Sequence, residues 1–318
     1  MNNLLQNWIP YKITDAAAEP LCYWLNTFNI RFTEPFFDST ISRCKSLNNN
    51  RFRSVGTLDL LEQWAINMDH IEPTAFIFHI SRCGSTLVSQ LLDTDEQNIC
   101  LAEVPFFDDV LRLPFKNTDW TTNKTGQLFT DALKFYGQKR TGNETRLFVK
   151  TDSWHIFFYE QIRERYPEVP FILLYRTPAE VLYSHTKKRG MQSVPGVIEP
   201  QLFGFEPEEA LNQSLDVYTA NVLERYLGRY LEIAQKDKNT LLLNYNQGPI
   251  PMVQDIAAFT QTPISDDILL KMKERSGYHS KHPNQLFTEE QTTNIPGFLT
   301  KATSLYRQIE ELRQSVLF

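Results

Sequence analysis

The sequence predicts an α/β fold: a parallel sheet covered on both faces by helices. From Thr74 onward, short apolar runs alternate with longer amphipathic segments, the pattern of strand–helix–strand units. Runs such as Phe171 to Tyr175 are apolar throughout instead of alternating, as strands buried on both faces must be. With 318 residues, 42% of them hydrophobic and 22% charged, the chain can bury a large core and is neither disordered nor fibrous.

In chain order, an aromatic-rich stretch, LCYWLNTFNIRFTEPFF, comes first, then a loop at Asn48–Asn50. SVGTLDLLEQWAI reads as a short amphipathic helix. Residues 1–73 are therefore expected to form a helical extension of a single domain, not a second domain. The α/β core spans 74–260, with strands at 75–80, 99–102, 146–150, 169–175 and 239–245. Helices fall at 84–93, 127–139, 154–166, 178–189 and 207–236. In the last, Leu211, Leu215, Tyr218, Val222, Tyr226 and Tyr230 make one apolar stripe. Residues 261–318 form a C-terminal loop and helix region, with helices at 251–260, 265–275 and 299–316 closing the chain.

Composition excludes several classes. Against 38 acidic residues there are 32 basic ones, a net charge of −6, whereas general nucleic-acid or acidic-membrane binders need a basic surplus. No apolar run approaches the roughly 18 residues of a spanning helix. The start, MNNLLQNWIPYKITD, lacks the basic-then-apolar order of a secretory signal. Cys22, Cys44, Cys83 and Cys100 contain no Cys-x-x-Cys pair, so neither a disulfide framework nor a zinc site is expected. The expectation is a soluble, cytoplasmic protein with reduced thiols. The markers of serine hydrolases and dinucleotide oxidoreductases, G-x-S-x-G and G-x-G-x-x-G, are missing.

Two stretches carry chemistry. In FIFHISRCGSTLVSQLL, the turn Arg82-Cys83-Gly84-Ser85-Thr86 joins a buried strand to a helix. A helix start offers unpaired N–H groups and the positive end of its dipole, and glycine allows close approach of an anion. Ser85 and Thr86 add hydroxyls and Arg82 a charge; the bland alternative is a capped strand-to-helix turn. Cys83 reads as a packing residue. In VPFILLYRTPAEVLYSHTKKRG, Arg176 ends a strand, and Thr177, Pro178 and Glu180 form a capping box with proline at the first helical position. Ser184 follows the cap at about 10 Å along the helix, within reach of a folded-over Arg176. Separately, Arg176 would read as a surface ion pair and Ser184 as a solvated position. Lys187, Lys188 and Arg189 suit the negative end of that helix.

Together the two stretches resemble the signatures of sulfotransferases that use 3′-phosphoadenosine 5′-phosphosulfate (PAPS). Arg82-Cys83-Gly84-Ser85-Thr86 matches the first, with Arg where many members have Lys. Arg176 and Ser184 match the second, and Lys150-Thr151 in LFVKTD a third. The resemblance covers roughly 74–190. It implies a P-loop three-layer α/β/α architecture, with the 82–86 turn on the 5′-phosphosulfate and Arg176 with Ser184 on the 3′-phosphate. It also implies that Lys150 stands at the bridging oxygen and that no metal is required. Arg275 and Lys281 would lie in a basic C-terminal loop over the 3′-phosphate, though a solvated loop is as good a reading. The sequence departs from many cytosolic members at Asp152, where those carry a catalytic histidine. Glu103 in CLAEVPFF is then the first choice of base, Asp152 the second, with His155, His185 and His79 as rivals.

The implied reaction is sulfuryl transfer to a hydroxyl, or an amine, of a small-molecule or glycan acceptor. A P-loop kinase using Asp152 to hold metal, and a nucleotide-binding module without catalysis, are the alternatives; the missing loop Lys-Ser/Thr weighs against the kinase. His279 and His282 have a metal-like spacing but lack partner ligands. Trp24, Phe28, Phe36 and Phe37 suit either an acceptor pocket or the core, and MQSVPGVIEPQLFGF is long enough for a lid or acceptor loop.

Overall fold

The computed structural model describes residues 4–14, 20–47, 53–278 and 295–316. Its centre is a five-stranded parallel sheet of β4 (Pro73–His79), β5 (Asn98–Ala102), β6 (Arg146–Lys150), β7 (Phe171–Tyr175) and β8 (Thr240–Asn244), preceded by β1 to β3 described below. The order is β5-β6-β4-β7-β8. Strands β5 and β7 are buried along their whole length, as uninterrupted apolar runs require. Helices flank the sheet in two groups. Ser85–Leu92, Pro249–Phe259 and Asp266–Ser276 pack on one another, as do Pro178–Lys187, Leu215–Lys236 and Thr300–Val316. All five strands expected from the sequence are present. Strand β4 pairs with β6 on one side and β7 on the other, so the chain reverses its direction of travel there. Open α/β sheets form their binding crevice beyond the strand ends at such a point.

The N-terminal stretch departs from the expected helical extension. β1 (Trp8–Thr14), β2 (Leu21–Asn26) and β3 (Arg53–Thr57) form an antiparallel sheet, accompanied by the helices Phe37–Leu47 and Asp59–Ala65. The physical reason is local: WIPYKIT and LCYWLN are rich in aromatic and β-branched residues, which fit a pleated, half-buried surface. This sheet is anchored by Trp24, whose ring lies 5.0 Å from Phe135, and by the Tyr136 hydroxyl, which donates to the Pro10 carbonyl.

Two helices also differ. The expected 207–236 helix is two, Pro207–Leu211 and Leu215–Lys236, because Ser214 accepts from the Val217 N–H and starts a new helix. Leu211 and Leu215 consequently leave the buried stripe and are exposed, while Tyr218, Val222, Tyr226 and Tyr230 remain in it. The segment expected at 154–166 opens as a 3₁₀ turn, Ser153–Phe158, before the α-helix Tyr159–Arg165.

Candidate active site

A cleft of about 480 Å³ opens at the carboxyl ends of β4, β5, β6 and β7. The turn after β4 forms one wall. Ser81, Arg82 and Gly84 all have positive φ (67°, 52° and 80°). For residues with a Cβ that region costs about 1–2 kcal/mol each, so the packing around the turn must hold it. Turns of this kind aim successive N–H groups into one concavity, where an anion fits. Gly84 is the N-cap of Ser85–Leu92 and supplies no side-chain cap. Ser85 and Thr86 are buried and line the cleft. Arg82 also lines it and donates to the Lys188 carbonyl at 2.7 Å. Cys83, counted with the anion-binding turn, turns its side chain away: the thiol is buried, contacts the Leu174 carbonyl at 3.4 Å, and is pushed up to about 12 by burial. Only its backbone can serve the turn.

The opposite wall begins at the end of β7. Arg176 is buried yet lines the cleft, as does Ser184. The capping box takes an altered form: Thr177 donates from its hydroxyl to Glu180, and Glu180 also receives the Arg176 Nε at 3.2 Å. Glu180 thereby fixes the guanidinium at the mouth of the helix. The Arg176 guanidinium lies 4.5 Å from the Tyr245 ring centre, and the same ring fills the space beside Gly84. A Cβ at position 84 would meet Tyr245 Cδ2 at 2.3 Å. Tyr245 thus joins the two candidate anion pockets in one packed unit.

The floor is acidic. Glu103, itself at positive φ (56°), accepts from Lys150 Nζ at 2.7 Å and faces His79 Nε2 at 3.2 Å. The His79 Nδ1 accepts the Ser81 N–H at 3.1 Å, so the ring proton is on Nε2, shared with Thr151 O at 3.0 Å. Burial lowers the His79 pKa and keeps the ring neutral. Burial alone would raise the Glu103 pKa, but Lys150 and His79 overcome it and hold the carboxylate well below its usual range. Asp152 is opposite in character. Burial, then repulsion from Glu103 and Asp108, holds it well above the ordinary aspartate value. Behind it, His155 Nε2 lies 3.2 Å from Asp108 Oδ1 and 3.7 Å from Asp152 Oδ2.

Asp108, Asp152 and His155 are the one group among the described residues with metal-like spacing. However, Asp108 is already occupied by Trp154 Nε1 at 2.5 Å and Arg112 at 2.8 Å.

The cleft therefore unites Arg82, Gly84, Ser85, Thr86, Glu103, Asp152, Arg176 and Ser184. Lys150 reaches it through Glu103. Arg275 does not line it; its guanidinium is held by Gln90 and by the Tyr278 carbonyl. Lys281, His279 and His282 lie outside the described residues. Of the four aromatics weighed for the acceptor side, Phe36 lines the cleft, Trp24 and Phe37 are core, and Phe28 is exposed. Among the lid candidates, Met191 and Gln192 line it. Sequence reasoning missed Tyr245 and Tyr278. Tyr245 did carry a signal, since it follows the carboxyl end of the last sheet strand.

No family model and no curated protein sequence matches the chain. The solved structures similar to it include sulfotransferases. A Mycobacterium avium sulfotransferase is 14% identical, with 88% of this chain and 83% of that one covered, at a TM-score of 0.48. The sulfotransferase domain of the Synechococcus olefin synthase is 15% identical, covering 79% and 97%, at 0.46. The sulfotransferase domain of the curacin biosynthetic pathway is 15% identical, covering 79% and 99%, at 0.45. No helix among the described residues is long and apolar enough to cross a membrane.

Proposed function

We propose that the chain transfers a sulfuryl group from PAPS to a hydroxyl of an acceptor. The observation that carries this reading is one cleft with two anion-binding walls, the 81–86 turn and the Arg176–Ser184 pair, joined by Tyr245. Its volume, about 480 Å³, is within the usual range for small-ligand sites. The turn would hold the 5′-phosphosulfate, and Arg176 with Ser184 the 3′-phosphate.

In the transfer, the acceptor oxygen bonds to sulfur as the sulfur–oxygen bond to the phosphate breaks. The electron pair leaves on the phosphate oxygen, where Lys150 would offset the charge. The acceptor proton goes to Glu103. Glu103 is ionised and so has a free site for the proton, whereas Asp152 holds its own to higher pH; while paired with Lys150, however, Glu103 is a weak base. A negative donor arriving at Lys150 would draw its charge from Glu103 and make that carboxylate more basic. The amine acceptor, the absence of a metal requirement and the cytoplasmic setting belong to this same reading.

The decisive experiment is a titration with 3′-phosphoadenosine 5′-phosphate (PAP), ADP and AMP, with and without magnesium. PAP should bind preferentially and without magnesium. Arg176→Ala should weaken it about 10- to 100-fold, the worth of a hydrogen bond to a charged group. Indifference of the wild type to the 3′-phosphate would end this reading. Magnesium-dependent ADP binding would favour a kinase built around Asp152.

A further inference from the structure

We infer that the acceptor carries a positively charged amine, and that Asp152 is its seat. This rests on the sulfuryl-transfer reading for what the cleft does, but not for the seat itself. Among the described residues, the cations nearest the floor have acidic partners of their own: Lys150 pairs with Glu103 at 2.7 Å, and Arg112 with Asp108 at 2.8 Å and Glu199 at 2.7 Å. Arg82 and Lys188 also line the cleft, but neither makes an ion pair with Asp152. Asp152 lines the cleft, and among the described residues the one ion-pair contact of its carboxyl group is His155 Nε2 at 3.7 Å, beyond hydrogen-bond range. His155 already faces Asp108 more closely, at 3.2 Å. Among the described residues, this carboxyl at the cleft floor has no ion-pair partner within hydrogen-bond range.

Two further features point to an occupant. Phe36 and Trp154 line the same cleft, and aromatic faces complement an organic cation. Gln192, also in the lining, is only 5% exposed, and its Nε2 has no hydrogen-bond partner. Buried amide groups are normally paired, so this one is matched to a ligand oxygen. The occupant is an ammonium on an apolar or aromatic body that bears hydrogen-bonding oxygen.

The groups facing Asp152 are Glu103 after β5, Asp108 on Pro105–Leu111, Lys150 on β6, Asp38 on Phe37–Leu47 and His155. The acids among them repel its ionised form, and a cation relieves that repulsion. Seating an ammonium therefore ionises Asp152 and releases a proton.

Calorimetric titration with phenethylamine and N-acetylphenethylamine tests this, on the free protein and on protein saturated with PAP, in buffers of different ionisation enthalpy. The amine should bind at least tenfold more tightly than its neutral derivative, with proton release near neutral pH. Asp152→Asn should abolish both the preference and the release, and Asp152→Glu should keep the preference. PAP affinity is measured alongside in both variants, so that a loss of the donor site is read separately from a loss of the amine preference. Equal binding of the two probes, or a preference that survives Asp152→Asn, overturns the inference while leaving PAP recognition intact. Loss of PAP recognition with the amine preference retained overturns the donor reading instead.

Discussion

Replacing Gly84 with alanine tests whether the two anion pockets form one packed unit. Two costs arise. The residue sits at φ +80°, where a Cβ costs about 1–2 kcal/mol. The new methyl would also lie 2.3 and 2.4 Å from two Tyr245 ring carbons, so the ring must shift, an overpacking cost of about 1–3 kcal/mol. Gly196→Ala isolates the first cost, since its φ is +81° and nothing lies within 4 Å of its added Cβ. The gain from restricting the unfolded chain is common to both variants and cancels. Denaturant unfolding should therefore show Gly84→Ala to be less stable than Gly196→Ala by about 1–3 kcal/mol. The shifted ring also leaves the Arg176 guanidinium, now 4.5 Å from it. A cation–π contact worth about 0.5–2 kcal/mol implies PAP binding roughly 2- to 30-fold weaker. Equal stability losses in the two variants, with PAP affinity unchanged in Gly84→Ala, would refute the coupling.

Two further outcomes follow from the charges. Lys150→Met strands Glu103 near a fully buried site and should destabilise by about 3 kcal/mol, with Lys150→Met/Glu103→Gln recovering most of it. Because the folded pKa of Glu103 is depressed, the pair stabilises above the ordinary carboxylate range. The gap between wild type and Lys150→Met should begin to narrow as pH falls below about 4 and close only through the much lower folded value. Asp93 behaves oppositely: burial outweighs Arg31, 2.9 Å away, and raises it to about 7. Its contribution is full below about pH 4 and is lost as pH rises through 7. Thermal unfolding of Asp93→Asn should be flatter than wild type between pH 5 and pH 8.

The parallel sheet was legible because burial on both faces demands uninterrupted apolar runs, and no other element writes that signature over so few residues. Helix existence was legible on the same grounds, but the break at Ser214 was not. An apolar stripe continues in phase across it, and only the cap hydrogen bond shows that the chain restarts there. The N-terminal sheet was less legible, because aromatic density without clean alternation does not separate strand from helix. In WIPYKIT the strand bulges between Pro10 and Lys12, which blurs the two-residue period.

The walls of the candidate site were readable where they are local in sequence. A strand, a glycine and two hydroxyl residues, or a strand, an arginine and a capped helix, each imply backbone geometry that an anion can use. What joins them is not local. Tyr245 reaches Gly84 across 161 positions, the difference of the two residue numbers, and only the parallel alignment of β8 beside β7 sets it there. The basicity of the floor acids is hidden for the same reason. Glu103 and Asp152 are both carboxyls after strand ends, and they differ in their surroundings: Lys150 and His79 lower the first, while burial and repulsion from Glu103 and Asp108 raise the second. Lys150 lies two residues from Asp152 in sequence, yet its ammonium pairs with Glu103, which directly follows Ala102, the residue aligned with Lys150 on the neighbouring strand. Among the described residues, the ion-pair contact of Asp152 is His155 at 3.7 Å, a pairing that no sequence spacing announces.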